Sequence, residues 1–234
     1  HMSLVKKARR ECDIVVVSIF INPIQFGPSE DFSKYPRNFK KDQKLLKKVG
    51  VDFLFYPKAK SMYPENFSTY VEETDLSKVL CGLLRPGHFK GVCTVLVKLF
   101  NIVEPDIAYF GKKDYQQVQI VKKIVANLNY SIKIKALPIV REKDMLAMSS
   151  RNAYLTQQER KKAKCLYRVL RLSRELISAG ERNPAKVIKA MRNIVKSEKN
   201  TKIDYIQIVD AKTLKKVKRI SGKVLIALAV YIGK

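Results

Sequence analysis

The sequence predicts an α/β protein: a Rossmann-like, doubly wound parallel sheet followed by a smaller α+β domain. Three observations support this prediction. Residues 13–20 form a β-branched run typical of a strand buried on both faces. Strand-like and helix-like segments then alternate as far as residue 139, as parallel strands joined by crossover helices require. Beyond this point capped helices precede strands suited to antiparallel pairing, so we predict domains at residues 1–139 and 140–234.

The elements of the first domain follow in order. Residues 39–49 carry apolar side chains at helical spacing and are followed by Gly50, a typical helix stop. Residues 51–57 have the composition of a short strand ended by proline. The remaining elements are predicted to be a helix at 92–103, a strand at 107–110, a helix at 115–128 and an extended segment at 132–139.

The second domain begins with clear helix signals. Residues 156–159 (TQQE) form a capping box, which predicts a helix running to residue 179 and stopping at Gly180. Asn183 and Pro184 are suited to the N-cap and first position of a second helix. Two strands are predicted after it, at 203–209 and 224–232.

Composition excludes several classes of protein. With 46% hydrophobic residues in 234, the chain can bury a core and is not disordered. No apolar run approaches the roughly 20 residues of a membrane helix, and no signal-peptide core follows the N-terminus, so we expect a cytoplasmic protein without a membrane partner. Four scattered cysteines and two histidines argue against a zinc site or a disulfide framework.

The net charge of +26 raises the possibility of a nucleic-acid partner. The basic residues are spread over the whole chain and interleave with core-type Leu and Val, as on the solvated face of an amphipathic element. No nucleic-acid-reading motif accompanies them. We therefore expect no specific nucleic-acid partner.

Two polar segments precede the predicted helix at 92–103. Residues 18–27 leave a buried strand and place Asn22 and Gln25 at its carboxyl end, where amides can donate to and accept from a small ligand; an ordinary Asn-Pro turn is the alternative. Residues 82–91 form a glycine-rich basic loop in which Arg85 and backbone amides can hold an anion. His88 in that loop can either hold the backbone or transfer a proton.

Two further segments suit phosphate binding. FGKKDYQQ at 110–117 follows a strand and opens a helix, which is where nucleotides bind in such sheets, although it is not a Walker loop. MSSRN at 148–152 lies at the predicted domain boundary, where hydroxyls and a guanidinium can close on phosphates. A helix-capping serine and a surface arginine are the alternative there.

Together these segments resemble the pantoate–β-alanine ligase (pantothenate synthetase) family. Its motifs occur here in order and spacing over nearly the whole chain: SIFINPIQFGPSED at 18–31, YPR at 35–37, RPGHF at 85–89, FGKKDYQQ at 110–117, VRE at 140–142 and MSSRN at 148–152. The resemblance implies a nucleotidyltransferase-like fold and a homodimer. It also implies condensation of pantoate with β-alanine through pantoyl adenylate, with ATP as a substrate, Mg²⁺ accompanying it, and AMP and pyrophosphate as products.

The resemblance also assigns residues. Gln25 and Gln117 would bind pantoate, and Gln25 would also lie near β-alanine. Asn22 and Arg85 would complete this substrate site. Catalytic roles fall to His1, Lys113 and Arg151, because fixed donors and cations stabilise charge developing on phosphorus. The ATP-binding set would be Gly111, Lys112, Lys113, Asp114, Val140, Met148, Ser149, Ser150 and Arg151. No metal ligands are predicted.

The beginning of the chain departs from the family pattern. Family members carry a first strand and a His-x-Gly-His motif before this point, and His1 is either the last histidine of that motif, as we predict, or a remnant of a cleaved tag. We expect the chain to be part of a longer enzyme. The alternative function is a basic nucleotide- or nucleic-acid-binding module without catalysis, which would bind duplexes in a steeply salt-dependent way and form no AMP.

Overall fold

The computed structural model describes residues 1–28 and 30–233; Ser29, part of the SIFINPIQFGPSED segment, and Lys234 lie outside the described residues. The chain divides into two compact units, one of His1–Ser77 and Arg85–Ile139 and the other of Lys78–Leu84 and Val140–Lys234. The first unit combines parallel strands with helices, and the second packs helices against an antiparallel pair. This is the predicted α/β class followed by an α+β part.

The helices and strands are, in chain order, α1 (Met2–Glu11), β1 (Val16–Ser18), α2 (Phe39–Val49), β2 (Phe53–Phe55), α3 (Ala59–Met62), α4 (Cys81–Leu84), α5 (His88–Val103), β3 (Ile107–Gly111), α6 (Tyr115–Asn127), β4 (Lys133–Leu137), α7 (Gln157–Ala163), α8 (Cys165–Ser178), α9 (Pro184–Ser197), β5 (Thr201–Asp210) and β6 (Val224–Ile232). Short 3₁₀ turns occur at Pro23–Gln25, Leu76–Lys78, Lys112–Asp114 and Ser150–Tyr154.

The parallel strands of the first unit form two pairs. β1 pairs with β2, and β3 pairs with β4, both in parallel. The strands predicted at residues 13–20 and 51–57 shorten to three residues each, because the ladder between them extends only from Val16 opposite Phe53 to Ser18 opposite Phe55. Strand length is set by the neighbouring backbone that supplies hydrogen bonds, which a single segment's composition does not reveal.

Helices cover the second pair of strands. Phe100 of α5 and Val121 and Val125 of α6 are buried in a core that also takes in apolar side chains of β3 and β4. α2 has its predicted bounds, with the Asn38 side chain accepting from the Lys41 backbone N–H and Gly50 closing the helix at φ 77°. α5 and α6 therefore hold fixed the carboxyl end of β3.

The start of α5 and the presence of α1 differ from the sequence prediction. α5 begins at His88 rather than residue 92, because Gly87 adopts φ 79° and turns the chain into the helix earlier. α1 was not predicted, since only its Val5 is buried. Instead, Arg9 attaches α1 to the body of the unit through the Gly50 carbonyl oxygen and the Asp52 carboxylate.

The second unit follows its predicted pattern closely. The capping box is confirmed: Thr156 Oγ1 accepts from the Glu159 N–H, and Glu159 Oε2 accepts from the Thr156 N–H. The predicted long helix is interrupted at Lys164, whose carbonyl accepts from the N–H groups of both Tyr167 and Arg168 and so tightens the turn. β5 and β6 pair antiparallel and pack on α8 and α9 around a buried core of Cys165, Val169, Val187, Met191, Val195, Ile206, Ile208 and Ile220.

The four cysteines are free thiols. Burial raises the pKa of Cys93 and of Cys165 to about 11, so both are neutral and serve as small apolar side chains. Over residues 1–28 and 30–233, no helix is both long enough and apolar enough to cross a membrane.

Candidate functional site

A chain of side-chain amides follows β1. Asn22 caps the 3₁₀ turn Pro23–Gln25 and is almost completely buried, with 3% of its surface exposed. Its Nδ2 atom donates to Gln25 Oε1 at 2.9 Å and to the Gly91 carbonyl oxygen at 3.0 Å. Its Oδ1 atom accepts from the Tyr63 hydroxyl at 2.9 Å. The structure thus brings the predicted residues Asn22 and Gln25 into direct contact and adds Tyr63, which sequence reasoning missed.

Gly91 of α5 allows this turn to lie against the helix. A Cβ atom at Gly91 would lie 2.9 Å from the Gln25 backbone nitrogen and would overlap the Ile24 carbonyl group. Only glycine permits so close an approach of two backbones. The glycine at the end of RPGHFKG was the sequence signal for this contact.

Arg85, Glu30 and His88 form a second cluster, which holds the backbone of Gln25. Arg85 Nε and Nη2 each donate to the Glu30 carboxylate at 2.6 Å, a bidentate pair. His88 Nδ1 donates to the Gln25 carbonyl oxygen at 2.9 Å, because a carbonyl can only accept, and Nε2 accordingly accepts from Arg85 Nη1 at 3.1 Å. Arg85, predicted from sequence as an anion-binding residue, thus binds the Glu30 carboxylate and lies beside the Gln25 backbone.

The charges of this cluster determine its protonation. Burial lowers the pKa of His88 below its usual value, and the neighbouring Arg85 charge acts in the same direction. Hydrogen bonds from Arg85 hold the pKa of Glu30 below its usual range, so Glu30 is a carboxylate. Asp114 acts on His88 in the opposite direction, which places the FGKKDYQQ segment within electrostatic range of this cluster.

The loop after β3 is open and basic. Gly111 ends the strand, and a Cβ atom there would meet no other heavy atom of the described chain within 4 Å. Lys113 and Asp114 are both exposed, with Lys113 Nζ 3.4 Å from Asp114 Oδ1. The turn leads directly into α6, whose first N–H groups point toward any anion bound at this end. Gly111, Lys112, Lys113 and Asp114, the residues predicted to bind ATP, therefore form an accessible loop that leads into a helix N-terminus.

The two adjacent glutamines of α6 have different environments. Gln116 is buried, and its Nε2 donates to the Leu76 carbonyl oxygen at 2.8 Å. Gln117 is half-buried, and its side-chain amide makes no hydrogen bond within residues 1–28 and 30–233. Gln116 is therefore committed to the fold, whereas Gln117 has its hydrogen-bonding groups available for a ligand.

The predicted site residues of the second unit lie on one short segment. Val140 and Met148 are exposed, and the Val140 carbonyl oxygen accepts from the Met148 N–H at 3.0 Å. Ser149 caps the turn Ser150–Tyr154 by accepting from the Arg151 N–H, and the Arg151 side chain is exposed. The structure therefore keeps Val140 and Met148–Arg151 together as one local arrangement.

A hydrogen-bonded network supports that segment. Glu142 accepts from Asn152 Nδ2 at 2.8 Å and from Arg160 Nη2 at 2.6 Å, and Arg160 Nε also donates to Asp144 at 2.9 Å. Glu142 and Asn152 belong to the motifs VRE and MSSRN. Arg160 was missed, because in sequence it looks like part of a solvated basic run.

The His1 side chain makes no hydrogen bond within residues 1–28 and 30–233. His1 occupies the N-cap of α1 without a side-chain capping bond, and its carbonyl oxygen accepts from the Leu4 and Val5 N–H groups. Its side chain is exposed.

The chain matches one protein family over its whole length. The family model described as pantoate-beta-alanine ligase matches residues 1–234. The chain is similar to pantothenate synthetase of Fervidobacterium nodosum, with 56% identity over 234 residues, which is all of this chain and 83% of the relative. It is 54% identical to the pantothenate synthetase of Thermotoga neapolitana, covering all of this chain and 84% of that protein.

Solved structures agree with these relatives. The crystal structure of the Thermus thermophilus enzyme, a pantothenate synthetase, superposes with a TM-score of 0.94 at 42% identity, covering 100% of this chain and 87% of that one. The pantoate-beta-alanine ligase of Francisella tularensis, crystallised with beta-gamma ATP and beta-alanine, gives a TM-score of 0.79 at 32% identity over 100% of this chain and 83% of that one. The chain therefore belongs to the pantoate–β-alanine ligase family and is an enzyme that joins pantoate to β-alanine in an ATP-dependent condensation.

Proposed function

We propose that the condensation proceeds in two steps through pantoyl adenylate. In the first, a carboxylate oxygen of pantoate attacks the α-phosphorus of ATP; a bond from that oxygen to phosphorus forms, and the bond to the bridging oxygen of the β-phosphate breaks, releasing pyrophosphate. In the second, the amine of β-alanine attacks the activated carbonyl carbon, loses a proton, and displaces AMP. The single observation that carries this proposal is the match to the whole set of family motifs, in which the side chains of Gln25 and Gln117 keep hydrogen-bonding groups available for a ligand.

Gln25 and Gln117 are proposed to bind pantoate, and Gln25 also to lie near β-alanine. The half-buried, unbonded amide of Gln117 supports this role, as does the hydrogen-bonded frame around Gln25. Asn22 and Arg85 are proposed to serve the same site. Asn22 does so by orienting Gln25, and Arg85 by its charge and by its bonds to Glu30, His88 and the Gln25 backbone.

ATP is proposed to bind at the loop after β3. Gly111 leaves room for a ligand to approach the backbone, and Lys112, Lys113 and Asp114 line the opening. Lys113 is the cation we assign to the charge that develops on the phosphorus and the departing pyrophosphate. We assign Val140 to the adenine side, Met148, Ser149 and Ser150 to nucleotide binding, and Arg151 and His1 to the phosphates.

Mg²⁺ is proposed to accompany ATP. Among the residues that the structure describes, no group of three or more His, Cys, Asp or Glu is arranged to hold a metal alone. This suits Mg²⁺, which is usually bound by one or two carboxylates together with substrate phosphates. Asp114, exposed beside Lys113, is the carboxylate of this loop that would contribute. When bound, the ion would offset negative charge on the phosphates.

We further propose that the enzyme acts as a homodimer in the cytoplasm, as the family resemblance implies. Sedimentation of the purified chain at several concentrations measures the oligomeric state. A monomer at all concentrations would contradict the dimer.

The two-step reaction is tested by isotope exchange. The chain, or a longer form that includes any preceding family segment, is incubated with Mg-ATP, pantoate and labelled pyrophosphate, without β-alanine. We expect label to enter ATP only when pantoate is present, and AMP to accumulate only after β-alanine is added. Exchange that requires β-alanine would contradict a separate adenylate step, and His1→Ala is expected to slow the exchange.

The alternative prediction, a binding module without catalysis, is not supported, because the family model and the relatives are those of a ligase. The remaining question is whether the net charge gives the enzyme affinity for nucleic acid. Binding to a generic DNA duplex is measured at two salt concentrations. We expect only weak, non-specific binding, because the charge is spread over the chain. Tight, steeply salt-dependent binding would contradict the expectation that the protein has no specific nucleic-acid partner.

A further inference from the structure

We infer that Tyr63 is a positioning residue that determines, through Asn22, which atoms of Gln25 face the substrate. The inference rests on the proposed role of Gln25 in substrate binding. It is carried by the hydrogen-bonded chain of Tyr63, Asn22, Gln25 and Gly91, all within the first unit.

The Gly91 carbonyl determines which atoms donate and which accept in this series of hydrogen bonds. A carbonyl oxygen can only accept, so the Asn22 atom 3.0 Å from it is the donor Nδ2. The same nitrogen lies 2.9 Å from the Gln25 side chain, so the Gln25 atom that faces it is the acceptor Oε1. Rotating the Asn22 amide by half a turn would direct two oxygens at each other in a nearly dry environment.

Tyr63 satisfies the remaining atom of Asn22. The buried Oδ1 accepts from the Tyr63 hydroxyl at 2.9 Å. Burial raises the pKa of Tyr63 to about 12, so the hydroxyl keeps its proton and remains a donor. The ring packs against Phe20 and, edge-to-face, against Phe67, which holds the hydroxyl in place.

This hydrogen-bonded series ends at Gln25, where it determines which side-chain atom is left for a ligand. With Oε1 turned toward Asn22, Gln25 presents its Nε2 group, which makes no hydrogen bond within residues 1–28 and 30–233. Two N–H donors recognise oxygen acceptors, such as the hydroxyl and carboxylate oxygens of pantoate or the carboxylate of β-alanine. They do not attract an ammonium group, so the arrangement also selects which end of β-alanine can approach Gln25.

The first test is Tyr63→Phe, which removes only the hydroxyl. Because the buried Asn22 Oδ1 then loses its donor, we expect the KM for pantoate to rise about tenfold, the change produced by one lost buried hydrogen bond. The KM for ATP is expected to stay within about twofold. Tyr70→Phe is the matched control, since Tyr70 stacks edge-on against the same Phe67 but is 45% exposed. If wild type is active and the KM for pantoate is unchanged in Tyr63→Phe, the inference about Tyr63 is overturned, whereas the proposed function stands.

A double-mutant cycle separates positioning from general destabilisation. In a Gln25→Ala background, Tyr63→Phe is expected to have no further effect on the KM for pantoate, because the side chain through which Tyr63 acts is gone. Additive effects would assign Tyr63 a purely structural role and overturn the inference. If wild type itself formed no AMP, the proposed function would fail instead.

A measurement without turnover applies in every case. The side-chain NH₂ groups of Asn22 and Gln25 are observed by ¹⁵N NMR in wild type and in Tyr63→Phe. We expect the Gln25 pair to shift or double when the Tyr63 hydroxyl is removed and to remain unchanged in Tyr70→Phe. A Gln25 pair identical in all three proteins would overturn the inference whether or not the enzyme turns over. If Tyr63→Phe does not fold, Asn22→Asp, which removes the donor to Gln25, supplies the same comparison.

Discussion

His88 Nδ1 donates a 2.9 Å hydrogen bond to the backbone carbonyl oxygen of Gln25. A side chain at the start of α5 thereby fixes the turn that carries Gln25, the amide proposed to bind substrate. Sequence reasoning left open whether His88 would transfer a proton or hold a backbone. The geometry assigns it to the backbone, because both ring nitrogens are occupied, one by Gln25 and the other by Arg85.

The buried His88 makes stability depend on pH. Its pKa is lowered by burial, so below about pH 6.5 the unfolded chain takes up a proton that the folded protein does not, and stability falls as pH falls. The adjacent Glu30, with its lowered pKa, acts in the same direction at more acidic pH. We expect the Tm of wild type to drop more between pH 7 and pH 5.5 than that of His88→Asn, which keeps a donor for Gln25 but does not titrate. Parallel Tm curves for the two proteins would contradict this prediction.

Gly91→Ala is expected to disturb both the fold and the substrate site. The new methyl group would overlap the Ile24 carbonyl and press on the turn that carries Gln25, at a cost of ~1–3 kcal/mol in the free energy of unfolding. Urea titration measures the loss of stability, and steady-state kinetics measure the KM for pantoate. The matched variant Gly111→Ala faces open space, so its stability should be unchanged while its KM for ATP rises. Equal stability of Gly91→Ala and wild type would show that the turn can move away from α5.

Gln117→Ala is expected to raise the KM for pantoate strongly and the KM for ATP little. Loss of one amide leaves a polar group of the bound substrate without its partner, at a cost of ~1–3 kcal/mol. Thermal melts provide the control: Gln117→Ala should melt like wild type, whereas Gln116→Ala should melt earlier, because Gln116 bonds the Leu76 carbonyl in the interior. An unchanged KM for pantoate would remove Gln117 from the substrate site.

Lys113→Ala is expected to slow adenylate formation by about 10²-fold, in the range seen when one fixed donor to transition-state charge is removed. Lys113 is exposed and contributes little packing, so its removal should not change the Tm. Pantoate-dependent pyrophosphate exchange and a thermal melt are measured together, with Lys122→Ala, which removes an exposed lysine of α6, as the matched control. Exchange at the wild-type rate would exclude Lys113 from catalysis, and a collapsed melt would indicate a structural role.

Local signals were sufficient for most helices. Gly50, which ends α2, and Asn183, which begins α9, act through neighbours a few positions away, and both occupy their predicted positions. Asn38 caps the start of α2 in the same local way, although it was not predicted. The extent of β1 and the existence of α1 were not predictable in this way. The length of β1 depends on where the backbone of β2 offers hydrogen bonds. The position of α1 depends on hydrogen bonds from Arg9 to Gly50 and Asp52, which lie 41 and 43 positions further along the chain.

The fold class, the family and the segments predicted to carry the chemistry could be recognised from the sequence, because they depend on residue types at short, regular spacing. Which side-chain atoms bond to one another in those segments depends instead on contacts between residues distant in the chain. Gln25 bonds to Asn22 through its side-chain oxygen because Asn22 meets Tyr63, 41 positions away, and Gly91, 69 positions away, in one buried hydrogen-bonded network. Buried polar groups must each find a partner, and the partner can come from anywhere the fold brings near, so no local pattern in the sequence could identify it.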